Sequence, residues 1–153
     1  MGTAARVLID VADRQLLPVD LARVRRAVRT ALRHLGVSDY ELSVTLVDDR
    51  TIRALNARYR GVRRRTDVLA FPLGGPATAA GEAIISVETA RRQARALGHS
   101  PAAELDLLCC HACLHLCGYD DRDPLEARLM HAREMDLLGR LHERPARTLH
   151  VRG

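Results

Sequence analysis

A long apolar helix is written between Ser100 and Cys117, and the rest of the chain must be built around it. Ser100 has the side chain of an N-cap and Pro101 suits the first helical position, where its missing N–H costs nothing. Two histidines, His111 and His115, interrupt the run four residues apart. A helix turns about 100° per residue, so they lie about 40° apart and project side by side. Gly118 follows three residues after the second, then Tyr119, Asp120 and Asp121. Glycine lets a chain leave a helix sharply, which returns residue 120 or 121 toward the imidazoles. That layout suits a divalent ion held by three side chains with a position left for water. The bland alternative, a chance pair of helical histidines, outweighs the metal reading on spacing alone and is level with it once the glycine turn and the acids are counted.

Four cysteines, Cys109, Cys110, Cys113 and Cys117, share this helix and offer a rival thiolate site. On a helical wheel they occupy an arc of roughly 100° centred almost opposite the histidines. One ion cannot reach both sets, and the chain has no other cysteine. They read as small core hydrophobes in a reduced protein.

Around this helix, Arg6 to Val11, Glu41 to Val47, Asp67 to Phe71 and Glu82 to Val87 read as strands. A helix opened by Pro18 and Asp20 runs to Gly36 with Leu21, Val24, Val28, Ala31, Leu32 and Leu35 on one stripe. Asp48 or Asp49 caps a second helix, through Tyr59. Ala77 to Gly81 reads as a loop and Glu88 to Leu97 as a further helix. Asp123 caps a last one through Leu141, with Leu125, Leu129, Met130, Met135 and Leu138 facing inward. The expected fold class is α+β: a small mixed four-stranded sheet packed with about five helices, the metal site at the end of a central helix. At 153 residues this is one domain, 1–141, with a basic tail at 142–153 expected to be flexible. The core must be aliphatic, since the chain has one Phe, three Tyr and no Trp.

The formal net charge of +5 suits a polyanionic partner without requiring one. No apolar run reaches the ~18 residues of a membrane span and no signal peptide is visible, which points to the cytoplasm.

These residues resemble the YbeY family of bacterial metal-dependent endoribonucleases. The family motif H-G-x-L-H-L-x-G-Y-D-H is matched by His111, Leu114, His115, Leu116, Gly118, Tyr119 and Asp120. Leu55-Asn56, Tyr59-Arg60, Thr66-Asp67-Val68-Leu69 and Phe71-Pro72 match an upstream family segment. Gly81-Glu82 with Ile84-Ile85-Ser86, and Glu126-Ala127 through Met130 to Glu134, match two more. The resemblance implies cleavage of single-stranded RNA, with roles in 16S rRNA 3′-end maturation and ribosome quality control on the small ribosomal subunit. It implies Zn²⁺ as cofactor. His111 and His115 carry over as ligands and catalytic residues, and Arg60 as the arginine that supports charge on the cleaved phosphodiester.

The family's third histidine is Asp121 here. Aspartate is a competent ligand at ~2.0–2.2 Å, so Asp121 is the expected third donor, with Asp120 and His131 as alternatives. Arg58, Arg63, Arg64 and Arg65 flank Arg60 as an RNA-facing strip, or else as a solvated basic loop. Asn56, Thr66 and Asp67 read as turn and cap residues, and Glu88 and Glu104 carry no motif. His34, His99, His142 and His150 read as isolated surface residues. Ala112 stands where a zinc peptidase has its glutamate, which disfavours a peptide substrate. Two alternatives remain: a metal hydrolase of a non-RNA substrate, and a non-catalytic ribosome-assembly binding protein with a degenerate metal site.

Overall fold

The computed structural model describes residues 6–61, 66–74 and 78–142. Nine elements follow in order: β1 (Val7–Asp13), α1 (Leu21–His34), β2 (Tyr40–Val47), α2 (Asp49–Arg60), β3 (Val68–Pro72), β4 (Ala79–Ser86), α3 (Val87–Leu97), α4 (Pro101–Leu116) and α5 (Pro124–Leu141). The strands form one mixed sheet in the order β1-β2-β4-β3. β1 and β2 pair in parallel, as do β2 and β4, while β3 runs antiparallel to β4 from Val68↔Ile85 to Pro72↔Gly81. The expected α+β architecture is therefore present.

Alternation along β4 divides the interior in two. Ala83 and Ile85 join the main core with Leu42, Leu46, Leu32 and the apolar side chains of α4. Ile84 points to the other face and packs with Val47, Ile52 and Leu69 beneath α2. On the main face α4 touches α1, α3, α5, β3 and β4. It is buried nearly all round, including Cys109, Cys110 and Cys113, as a central helix must be. Burial pushes the Cys110 thiol up to about 12, so these sulfurs pack as neutral groups.

Several expectations from the sequence need correction. The segment read as a loop up to Gly81 begins β4 at Ala79. Gly81 hid this strand because glycine disfavours strands; here its φ is +146°, and an added Cβ would lie 2.3 Å from the Phe71 carbonyl oxygen. On α5 the inward face is Met130, Glu134, Leu137 and Leu141, whereas Leu125, Leu129 and Met135 are exposed. The apolar residues of α5 fit two helical faces, and the one holding buried Glu134 packs inward. His99 and His142 are not isolated: they contact the buried carboxylates of Glu104 (2.5 Å) and Asp106 (2.8 Å). Arg23 completes the Asp106 cluster through a two-point contact at 2.7 and 3.2 Å. Glu88 accepts from the Asp49 backbone N–H at 2.7 Å. Residues 143–153, including His150, and Arg63, Arg64 and Arg65 lie outside the described residues.

Asp48 is the cap of α2. Asp49 instead bolts α2 to α3, accepting from Ser86 Oγ (2.7 Å), Thr89 Oγ1 (2.6 Å) and Arg92 Nη1 (2.7 Å). Burial raises its carboxyl pKa, but the bonds from Arg92, Thr89 and Ser86 and the Arg92 charge outweigh this and hold it at about 2, below the ordinary 3.8. A lowered carboxyl pKa stabilises the fold above the unfolded value and loses that contribution as pH falls through the folded one. Urea unfolding should therefore show about 2 kcal/mol lost between about pH 4 and pH 2, and Asp49→Asn should remove that part of the acid dependence. Gly81→Ala should lower unfolding free energy by about 2 kcal/mol or more in the same assay at neutral pH, from backbone strain and the Phe71 clash.

Candidate metal centre

The end of α4 is a Schellman turn. Cys117 caps the helix, the Gly118 N–H donates to the His115 carbonyl at 3.1 Å, and the Tyr119 N–H donates to the Leu114 carbonyl at 2.9 Å. Gly118 supports this with a φ of +101°. The turn carries the Tyr119 carbonyl back over the helix end, where it accepts from His115 Nδ1 at 3.1 Å. A carbonyl only accepts, so His115 Nδ1 bears the proton and Nε2 is bare.

His111 is oriented from a different element. Its Nδ1 donates to Glu134 Oε2 on α5 at 2.6 Å. The two Nε2 atoms then face one another 3.2 Å apart, with the rings nearly perpendicular. An ion bound tetrahedrally at ~2.0–2.1 Å from each would set them roughly 3.3–3.4 Å apart. Two bare imidazole lone pairs at this distance repel unless a cation or a proton lies between them, so the donor set fits a metal ion. Asp121 lies close enough to join them: one ligand atom from each of His111, His115 and Asp121 lies within 4.8 Å of the others, a group that could hold a metal ion.

The other two candidates are engaged elsewhere. Asp120 accepts from the Asp121 N–H at 2.7 Å and pairs with Arg122 Nε at 2.6 Å. His131 lies 3.7 Å from Glu134 Oε1, while His111 holds the other oxygen of that carboxylate. Burial and the neighbouring His111 hold the His115 pKa down, which keeps this ring neutral and able to ligate. Burial lowers that of His111 as well, but the hydrogen bond and charge of Glu134 overcome it and raise the pKa overall.

The imidazoles open into a polar cleft of about 620 Å³ that Arg60, Asp67, Asp121 and Arg122 also line. Arg60 stands in the last turn of α2 and reaches the site across the sheet edge. Arg58 does not line this cleft; its guanidinium lies 5.6 Å from the Tyr59 ring centroid. Asn56 is buried on α2. The sequence reading gave no role to Glu134 or Arg122, and it took Asp67, which lines the cleft, as a turn or cap residue. Glu134 had a signal, its place in the matched pattern on α5. The Tyr119 carbonyl, being backbone, had none.

The family model of endoribonuclease YbeY matches residues 11–142. This chain belongs to the YbeY family. An endoribonuclease YbeY from Thermobifida fusca is 40% identical over 141 residues, covering 85% of this chain and 91% of the relative. Relatives from Anaeromyxobacter sp. and Anaeromyxobacter dehalogenans, also named endoribonuclease YbeY, are each 44% identical over 118 residues. The matched region spans 62% and 61% of those two proteins. The fold is similar to the solution structure of TM1509 from Thermotoga maritima, with a TM-score of 0.65 and 23% identity, covering 88% of this chain and 89% of that one.

Within this YbeY-family site, Glu134→Gln should weaken zinc affinity about 10- to 100-fold, the usual effect of losing a partner behind a ligating histidine. Zinc titration against a chromophoric chelator measures this, and a circular dichroism melt confirms that the variant folds.

Proposed function

We propose that this chain is a metal-dependent endoribonuclease that hydrolyses single-stranded RNA, with Zn²⁺ held by His111, His115 and Asp121. The observation that carries the reading is the pair of opposed Nε2 atoms, 3.2 Å apart, in a cleft that also bears Arg60. A bound zinc ion supplies Lewis acidity to a phosphoryl oxygen and makes water acidic enough to act as a nucleophile near neutral pH.

The chain's own groups prepare for that chemistry. Glu134 and the Tyr119 carbonyl fix both rings with Nε2 toward the cleft. Asp121 adds a negative donor where the family pattern has a neutral imidazole, so the site holds one positive charge fewer. Arg60 restores positive charge on the substrate side, and its planar fork can grip two phosphate oxygens at once. Arg122 lines the same cleft with its Nε on Asp120. Arg63, Arg64 and Arg65 extend the basic strip in sequence from Arg60 and serve to hold the RNA backbone.

Family membership supports a place in 16S rRNA 3′-end maturation and ribosome quality control, with the small ribosomal subunit as partner. No helix among the described residues is long and apolar enough to cross a membrane. We assign the activity to the cytoplasm, where its RNA is made.

Labelled single-stranded RNA should be cut by the zinc-loaded protein, while chelation stops cutting and casein stays intact. Arg60→Ala should lower the cleavage rate about 10²- to 10³-fold, the scale for losing one charge-stabilising donor, while zinc content stays unchanged. Cleavage of casein but not RNA would overturn the reading. Zinc content and RNA cleavage both unchanged in Asp121→Ala would remove Asp121 from the ligand set.

A further inference from the structure

A second cavity, of about 470 Å³, backs onto the metal cleft. His111 and Asp67 line both spaces, so they form the wall between them. The two differ in charge. The cleft sets Arg60 and Arg122 against Asp67, Asp120 and Asp121, whereas the second cavity has no arginine or lysine among its described lining residues. The carboxylates that reach it are Asp67, Glu104 and Glu134. Glu104 is 2% exposed and held by His99, and Glu134 is held by His111. Gln93 donates its amide to Asp67 Oδ2 at 3.4 Å. The remaining wall is aliphatic, from Leu97, Leu107 and Leu108.

Such a cavity repels phosphate, because its polar rim is negative or hydrogen-bond accepting. It suits a flat, neutral group with an apolar face and an edge rich in N–H donors. Resting on the RNA-cleaving reading above, we propose that this cavity is a nucleobase subsite, one that takes the base next to the scissile phosphate and prefers guanine. The phosphate lies on the arginine side of the His111–Asp67 wall and its base on the carboxylate side. Guanine offers two adjacent donors, N1–H and N2–H, which match the two oxygens of a carboxylate such as Asp67. Uracil offers one donor between two acceptors, and an acceptor would face the Asp67 carboxylate unpaired. Leu97, 66% exposed, supplies a surface for the base face. Gln93 is the specificity-determining residue, because its amide holds Asp67.

The test maps cleavage ends on a pool of single-stranded RNAs with randomised sequence, using the zinc-loaded full chain. The preference at the position flanking the cut is read as the guanine-to-uracil ratio of rates. The expected ratio is about tenfold or more, the scale of one good two-point base contact. Gln93→Leu should bring it to about twofold or less. Ala96→Phe, which narrows the same cavity from an exposed site, should also reduce it. Direct binding of guanosine monophosphate and uridine monophosphate, measured by calorimetry, gives a readout independent of turnover, with guanosine monophosphate the tighter ligand. Cleavage that is indifferent to the flanking base, or that favours adenine, cytosine or uracil, overturns the subsite and leaves the nuclease reading standing. A ratio unchanged in both folded variants also overturns it. Failure to cut any RNA in the pool overturns the nuclease reading, and the subsite with it.

Discussion

The hydrogen bond from His115 to the Tyr119 carbonyl joins the fold to its chemistry. It exists because α4 stops where it does. The turn at Gly118 satisfies the last carbonyls of a buried helix, a requirement of any such terminus. The same turn places an acceptor on one imidazole nitrogen and so leaves the other bare. A residue with a Cβ at position 118 would meet no steric obstacle there, but it would have to hold a φ that L side chains avoid. Helix termination and ligand preparation are thus one event.

α4 can serve this role because it is anchored on every side. Helices α1, α3 and α5 and strands β3 and β4 all contact it. Its two buried acids are each matched from outside: Asp106 by Arg23 and His142, and Glu104 by His99. Unpaired, either carboxylate would cost several kcal/mol in that interior. Paired, they tie the N-terminal half of α4 to α1, to the end of α5 and to the turn before Ser100. The imidazoles at the other end therefore project from a rigid post, which a preorganised site needs.

Much of this was legible in the residues, and the exceptions have physical causes. Ser100-Pro101, the histidine spacing, Gly118 and Asp121 are local signals, and local signals survive without tertiary information. The placement of the four cysteines away from the histidines also followed from helical geometry alone. Gly81 misled because its close approach to Phe71 and Leu116 is a tertiary fact, and in isolation glycine marks a break. The α5 face misled because hydrophobicity favoured Leu125 and Leu129, while the structure turns Glu134 inward to reach His111. A buried acid on an amphipathic helix contradicts periodicity, and it does so where the site requires it. His99 and His142 escaped notice for the same reason, since their partners are distant in sequence or hidden in an apolar helix.

Glu134 also explains how the site tolerates a carboxylate at position 121. Its negative charge sits behind His111 and strengthens that ring as a donor. With Asp121 beside the imidazoles and Glu134 behind His111, two negative charges would offset most of the charge of a divalent ion held there. Such a site alone would attract a polyanionic strand weakly. Arg60 on the cleft lining supplies positive charge that the site itself lacks, whereas Arg122 is paired with Asp120. In the proposed reaction, attraction of the strand falls to Arg60 and polarisation of the bond to the metal site, where the histidine pair, fixed from behind by Glu134 and Tyr119, keeps its lone pairs directed at the cleft.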